Sequence, residues 1–371
     1  MIKKTILKFK WLSISVLAIG ILISVCSVLS ILYYQKLLDS ITEGLMIENH
    51  ISDILTYVLS SLIFYSIFMA SDCIFNYLYG YPQTKLSNSI YQNFKISAVE
   101  KVSKADYSAL QNFGTGHIIQ VVENGASAGR DIIMNFYISI LGSQLPRALL
   151  SLFVLGIYKI KIMIVIGIGY VFVFLITKLL LKKLYLLKND TLINQEYMSK
   201  RFVTCLMEIV TFRVNRIYKN EIRLLEESAS KITKNNTKIL MVHEAFFTIF
   251  YLIIILIKIA VIIFSITLTK DVTIGMIVAM VALVDNIYNP IAIFNVAYVD
   301  YNLNKITFDR YKDFMNLPED KNLFHGKLIE NIKKEINIEQ VSFQYDERTV
   351  VNNVSFDVTA GKSIAHMLNT C

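Results

Sequence analysis

Three groups of residues in this sequence could do chemistry. Gly361-Lys362-Ser363 has the ending of a phosphate-binding loop, in which backbone N–H groups and a lysine cradle phosphate. The full motif needs an earlier glycine at the place where Phe356 stands and a helix after it, where the sequence stays extended, so that reading is rejected. The second group is the thiols and imidazoles. Cys26, Cys73, Cys205 and Cys371 are far apart with no C-x-x-C spacing, and His50, His117, His243, His325 and His366 include no i, i+4 pair. Neither a disulfide framework nor a metal site is expected, and no Ser/His/Asp or paired-carboxylate arrangement stands out. The third group is Asp72, Arg147, Lys258 and Asp285, which lie inside long apolar runs. An ionisable side chain at the centre of a bilayer costs about 2.5–3.5 kcal/mol on insertion scales. Such residues line a water-filled translocation pathway, pair with one another between helices, or snorkel to an interface from a long helix. Arg147 follows Pro146 and Asp285 lies close to Pro290; proline kinks free backbone carbonyls, which suits gating as well as simple packing bends.

The elements that would position these charges follow from composition. The chain has 371 residues, 54% hydrophobic and 18% charged, with a mean hydropathy of +0.51. Ordinary globular domains are less apolar and more charged, so a membrane protein is the default, and disordered or collagen-like chains are excluded. Fourteen Gly and four Pro favour long helices over a turn-rich β architecture.

A hydrocarbon core about 30 Å thick takes roughly 20 apolar residues in a helix. Six runs qualify: Trp11–Tyr34, Ile54–Leu78, Ile133–Tyr158, Ile160–Leu181, Ala245–Leu268 and Val272–Ala297. They are continuously apolar rather than alternating, which predicts helices and not a barrel. The first resembles a secretory or lipoprotein signal around Ile23-Ser24-Val25-Cys26, but it runs on past Cys26 and reads as a retained span. Lysines and arginines concentrate before the first run and in the second and fourth loops, so the termini and both long loops are predicted to be cytoplasmic. The net charge of +8 is thereby topological, and a nucleic-acid partner loses its support.

The two inner loops are long, and residues 84–110 and 117–135 carry helical apolar spacing (Leu86, Ile90, Phe94, Ile96; Ile118, Val121, Val122). Between them Asn112-Phe113-Gly114-Thr115-Gly116 permits a sharp reversal. The second inner loop repeats the scheme, with a helix up to about Ile209 and another from Glu221. The membrane helices are thus expected to continue into the cytosol in pairs joined by short cross-pieces. Residues 317–334 read as a linker. After it the periodicity becomes two, with Val341, Phe343 and Tyr345, then Val354, Phe356 and Val358, which predicts strands.

Ile336–Tyr345, Val351–Val358 and Gly361-Lys362-Ser363-Ile364-Ala365 together resemble the opening of an ATP-binding-cassette (ABC) nucleotide-binding domain, and the six-run body with long inner loops resembles the membrane half of an ABC exporter. Asn112–Gly116 is similar to the first coupling segment of that family and Ile209–Glu221, with Thr211, Phe212 and Arg213, to the second. The resemblance implies an all-α membrane protein of six transmembrane helices with long cytoplasmic extensions (1–316), the linker (317–334) and a short β fragment (335–371) that begins a nucleotide-binding domain. It implies an integral protein of a bacterial cell membrane working as a homo- or heterodimer with a second exporter half, and export of a peptide, lipid or drug driven by ATP. ATP and magnesium are the cofactors of intact relatives, where the position of Tyr345 stacks on adenine. The residues after Ala365 depart from the family pattern: no phosphate loop follows, so tight ATP binding and ATPase activity are not expected of these 371 residues alone. A non-catalytic membrane partner, or an immunity-type subunit of an intact exporter, is the alternative reading.

Overall fold

The computed structural model describes residues 1–46, 51–113, 115–158, 160–268, 272–320, 323, 335–345, 348–359 and 361, with most of 161–185 and 112–116 described by backbone only. The chain divides into two units, Met1–Pro318 and Glu319–Cys371.

The first unit is helical: α1 (Ile2–Lys8), α2 (Lys10–Met46), α3 (Ile51–Val102), α4 (Tyr107–Phe113), α5 (Thr115–Asp131), α6 (Leu145–Tyr158), α7 (Ile160–Met207), α8 (Ile209–Val214), α9 (Tyr218–Leu268) and α10 (Ile274–Met315). α5 and α6 are one rod joined by π-helical turns at Ile132–Ile138 and Ile140–Gln144. The second π turn ends against Pro146, whose ring would press on the Gly142 carbonyl in a regular α-helix; widening the turn relieves that clash. Among the described residues, five helical segments, Lys10–Glu43, Val58–Val102, His117–Tyr158, Tyr218–Thr267 and Ile274–Met315, are long and apolar enough to cross a membrane. The remaining run of the sequence, Ile160–Leu181, is helical within α7, and most of its side chains lie outside the described ones. The 51 residues of α9 span about 75 Å at 1.5 Å per residue, more than twice a hydrocarbon core. The helices therefore project far beyond the lipid, and the chain is an integral membrane protein with long helical extensions.

Packing differs along the rods. In the apolar half, α9 and α10 meet through Phe250, Ile254, Ile257 and Val261 against Met280, Leu283, Val284 and Tyr288. Here lipid supplies no hydrophobic drive, and close backbone approach matters instead. α2 and the second π turn touch at Gly20, where an added Cβ would stand 2.6 Å from the Gly142 carbonyl oxygen. In the extensions water restores the hydrophobic effect. Leu86, Ile90, Phe94 and Ala98 of α3 form a buried stripe at i, i+4 spacing, packed against Val121 and Ala128 of α5 and against Phe308, Tyr311 and Phe314 of α10. Ile96, expected in the same stripe, is 67% exposed because it lies two residues, or about 200°, around the helix from Phe94.

The second unit contains an antiparallel hairpin of β1 (Glu335–Tyr345) and β2 (Arg348–Thr359). Ile336 pairs with Val358, Ile338 with Phe356, Val341 with Val354 and Phe343 with Val351. Register shifts follow Ile338, Val341 and Phe343, and Gln340 and Asn353 take left-handed backbone conformations in this stretch. Their N–H groups donate to Ser355 Oγ and Ser342 Oγ, each at 2.8 Å, so serine side chains replace ladder partners at the bulges. The phosphate-loop-like residues Lys362 and Ser363 lie outside the described residues.

Candidate functional site

The four charges in the apolar runs fall into two couples of opposite sign, each between two helices. Lys258 of α9 donates from Nζ to Asp285 Oδ2 of α10 at 2.7 Å. Asp72 of α3 accepts from Asn76 Nδ2 at 3.1 Å through Oδ2, and Arg147 of α6 lies within its electrostatic reach. Asp72 Oδ1 and Arg147 Nε are buried and have no hydrogen-bond partner among the described residues. The two couples differ in kind: one is a direct ion pair, and the other is a near approach with unused donor and acceptor atoms.

The cross-pieces at the tips of the extensions are built differently. α3 ends at Val102, and the chain turns through Ser103–Asp106, where the Asp106 N–H donates to the Pro318 carbonyl at 3.0 Å. Asp106 Oδ1 then accepts from the N–H of Ser108 at 2.8 Å and from its hydroxyl at 2.6 Å, capping α4. These bonds hold the Asp106 carboxyl below its ordinary value. Asn112 and Phe113 close α4, and Thr115 and Gly116 open α5; Gly114 lies outside the described residues. The second cross-piece is α8, with Thr211, Phe212 and Arg213. It begins after Glu208 and ends where Asn215 Nδ2 donates to the Thr211 carbonyl at 3.0 Å. Arg216, at φ 54°, makes the reversal into α9. None of α8 is buried, and Val210 and Val214 present apolar surface at the tip.

Tyr345 stands at the end of β1, in register with Arg348, and its ring lies outside the described side chains. The described hairpin offers strands and serine-mended bulges but no loop of convergent backbone N–H groups that could hold phosphates. Among the described residues no cluster of His, Cys, Asp and Glu could hold a metal ion.

Sequence reasoning missed a set of polar contacts along α7. Lys188 pairs with Asp300 of α10, Glu196 with Arg310 of α10, and Arg201 with Glu221 of α9. Asp190 Oδ2 accepts from Asn235 Nδ2 of α9 at 2.6 Å. Lys188 and Arg201 count as topological charge in the sequence, and partners more than a hundred residues away leave no spacing signal.

A helical membrane unit with long extensions joined at their tips by short cross-pieces, followed by a β-hairpin in the second unit, is a fold that has a counterpart among solved structures. No family model and no curated protein matches the chain. Among solved structures, a bacterial Atm1-family ABC exporter with ATP bound has the same fold, at a TM-score of 0.72 and 15% identity. The match covers 94% of this chain and 61% of that exporter, so the chain spans about three fifths of its length.

Proposed function

We propose that the chain is the membrane domain of an ATP-driven exporter half. It crosses the membrane six times, with α7 providing the remaining span, and its termini and extensions lie in the cytoplasm of a bacterial cell. It works as a dimer with a second half, homologous or identical, to export a peptide, lipid or drug. The observation that supports this best is the pair of cross-pieces, Asn112–Gly116 and Thr211–Arg213, carried far beyond the lipid on helices with an exporter fold. A projection of that length serves a partner beneath it, and the exposed apolar residues of α8 suit an ATPase domain. Asp72, Arg147, Lys258 and Asp285 serve as polar elements of the translocation pathway. Tyr345 stacks on adenine once a phosphate-binding loop completes its domain. Magnesium and ATP belong to that completed domain, and the 371 residues alone turn over no ATP.

The test is a fusion of the chain to a complete ABC nucleotide-binding domain in liposomes. ATP hydrolysis that rises with the membrane domain present, and falls to the isolated-domain rate with Phe212→Ala and Arg213→Ala, is expected. A rate indifferent to α8 would refute the reading. Within the membrane, Lys258→Leu with Asp285→Asn is expected to abolish ATP-driven transport while leaving hydrolysis in place.

A further inference from the structure

Between α5, α7 and α10, in the extensions, lies a cavity of about 680 Å³. That is within the range of small-molecule sites. It shares no residue with either charge couple in the apolar runs. One face of α7 forms its longest wall, with residues recurring every three or four positions, so a single stripe of that helix points into it.

The charges on this wall are not balanced. Glu196 is engaged by Arg310 across the cavity from α10. The neighbouring Arg201 is engaged by Glu221 and by the hydroxyl of Tyr197. Lys200 also lines the cavity, and among the described residues no carboxylate pairs with it. Lys200 and Arg310 against Glu196 leave one positive charge in excess. Opposite Lys200, Gln120 and Asn124 stand at i, i+4 on α5, and among the described residues their amides make no side-chain hydrogen bond to protein. Ile193, Val203 and Met207 add apolar surface, beside the hydroxyl-bearing Tyr197, Thr204 and Thr307. An unengaged ammonium and two unengaged amides beside apolar side chains match a molecule with an anionic end and a hydrocarbon or aromatic body.

We propose that this cavity is a binding site for an organic anion with an apolar body, held at its charged end by Lys200 and at its flank by Gln120 and Asn124. The Glu196–Arg310 pair spans from α7 to α10 at the cavity and takes up the Arg310 charge, which leaves Lys200 as the cation open to a ligand. Because α5 enters the cavity wall at His117, directly after the first cross-piece, an occupant bears on the base of that segment. The proposal concerns binding alone, needs neither ATP nor transport, and stands or falls apart from the exporter reading.

The test uses the 371-residue chain in phosphatidylcholine nanodiscs and two dyes on one xanthene frame, anionic fluorescein and cationic rhodamine 123, titrated by fluorescence anisotropy. Saturable fluorescein binding is expected, with rhodamine 123 at least about tenfold weaker. Lys200→Gln should weaken fluorescein about tenfold, and Lys200→Glu should reverse the preference. Lys200 is exposed, so both variants should keep the parent's thermal unfolding, and Gln120→Leu offers an independent lesion on the other wall. Replacing part of the lipid with phosphatidylglycerol separates the sources: displacement of fluorescein names an anionic headgroup as the occupant, and unchanged binding names a soluble anion. Equal binding of the two dyes, or fluorescein binding untouched by Lys200→Glu, overturns the proposal.

Discussion

α10 meets two neighbours in the extensions, and it meets them by different means. Toward α3 and α5 it presents Phe308, Tyr311 and Phe314, all fully buried. Tyr311 donates to the Phe94 carbonyl at 2.7 Å, and its side chain lies so close to Gly125 that a Cβ there would stand 2.4 Å from Tyr311 Cβ and 2.7 Å from its ring. Toward α7 and α9 it presents Asp300 and Arg310, in partly exposed ion pairs, with only a small apolar knot of Leu184, Val299 and Leu303 between them. An aromatic core excludes water and has one geometry. Exposed ion pairs exchange with water at little cost and hold two helices without fixing their spacing. In the extensions the fold thus joins α3, α5 and α10 through a fixed aromatic core and holds α7 to α10 by contacts that can be remade, while the apolar half packs α9 and α10 through buried side chains.

That contrast can be broken at its strongest point first. Gly129→Leu would drive a side chain into the rings of Phe94 and Phe308, each 2.7 Å from an ideal Cβ. Overpacking of this kind costs about 1–3 kcal/mol or more, and thermal unfolding should show the extension core lost at much lower temperature. Tyr311→Phe keeps the ring and removes the hydroxyl, leaving the Phe94 carbonyl without that donor; a loss of about 1–3 kcal/mol is expected in denaturant melts. Arg310→Gln tests the other side. Its effect on stability should stay below about 1 kcal/mol and disappear in about 1 M salt. Hydrogen exchange should nonetheless show α7 opening more readily, and unchanged exchange there would count against the remakeable joint. Asp106→Ala should do least, fraying α4 alone, with faster exchange at the Ser108 amide. Because its folded carboxyl titrates below the ordinary value, the Asp106 cap is present at neutral pH and lost as pH falls below about 4, through the lowered value.

The rods were legible because their signal is local. Apolar runs, lysine-rich loops and the stripe Leu86, Ile90, Phe94 all sit within a few turns of one another, and a 3.6-residue period states which face is buried. The hairpin was legible for the same reason, since Val341 and Phe343 alternate as strands do and find Val354 and Val351 across the ladder. The bulges at Gln340 and Asn353 were not, because the partners that mend them are serines whose role depends on the opposite strand. Among the site residues, the sequence marked Asp72, Arg147, Lys258 and Asp285 as costly in lipid but could not say how they combine. The pairing of Lys258 with Asp285 depends on how α9 and α10 lie side by side, a fact of three-dimensional packing. The cavity around Lys200 was hidden altogether. Its walls come from segments that neither composition nor period connects.

The two wide turns in the rod of α5 and α6 set the angular phase of everything that follows them. In both, an N–H reaches five residues back, from Ser139 to the Met134 carbonyl and from Leu145 to the Ile140 carbonyl. An extra residue held in a turn offsets the downstream side chains by about 100° around the axis. Arg147, which lies within electrostatic reach of Asp72, is downstream of both turns, so its direction carries that offset. Deleting one residue between Ile132 and Gln144 would remove one of the two wide turns and swing Arg147 by about 100° around the axis, while Val121 and Ala128 keep their places in the extension core. The direction in which this charge looks is therefore recorded as a count of residues, and a change in that count would re-aim it without altering a single side chain at either end.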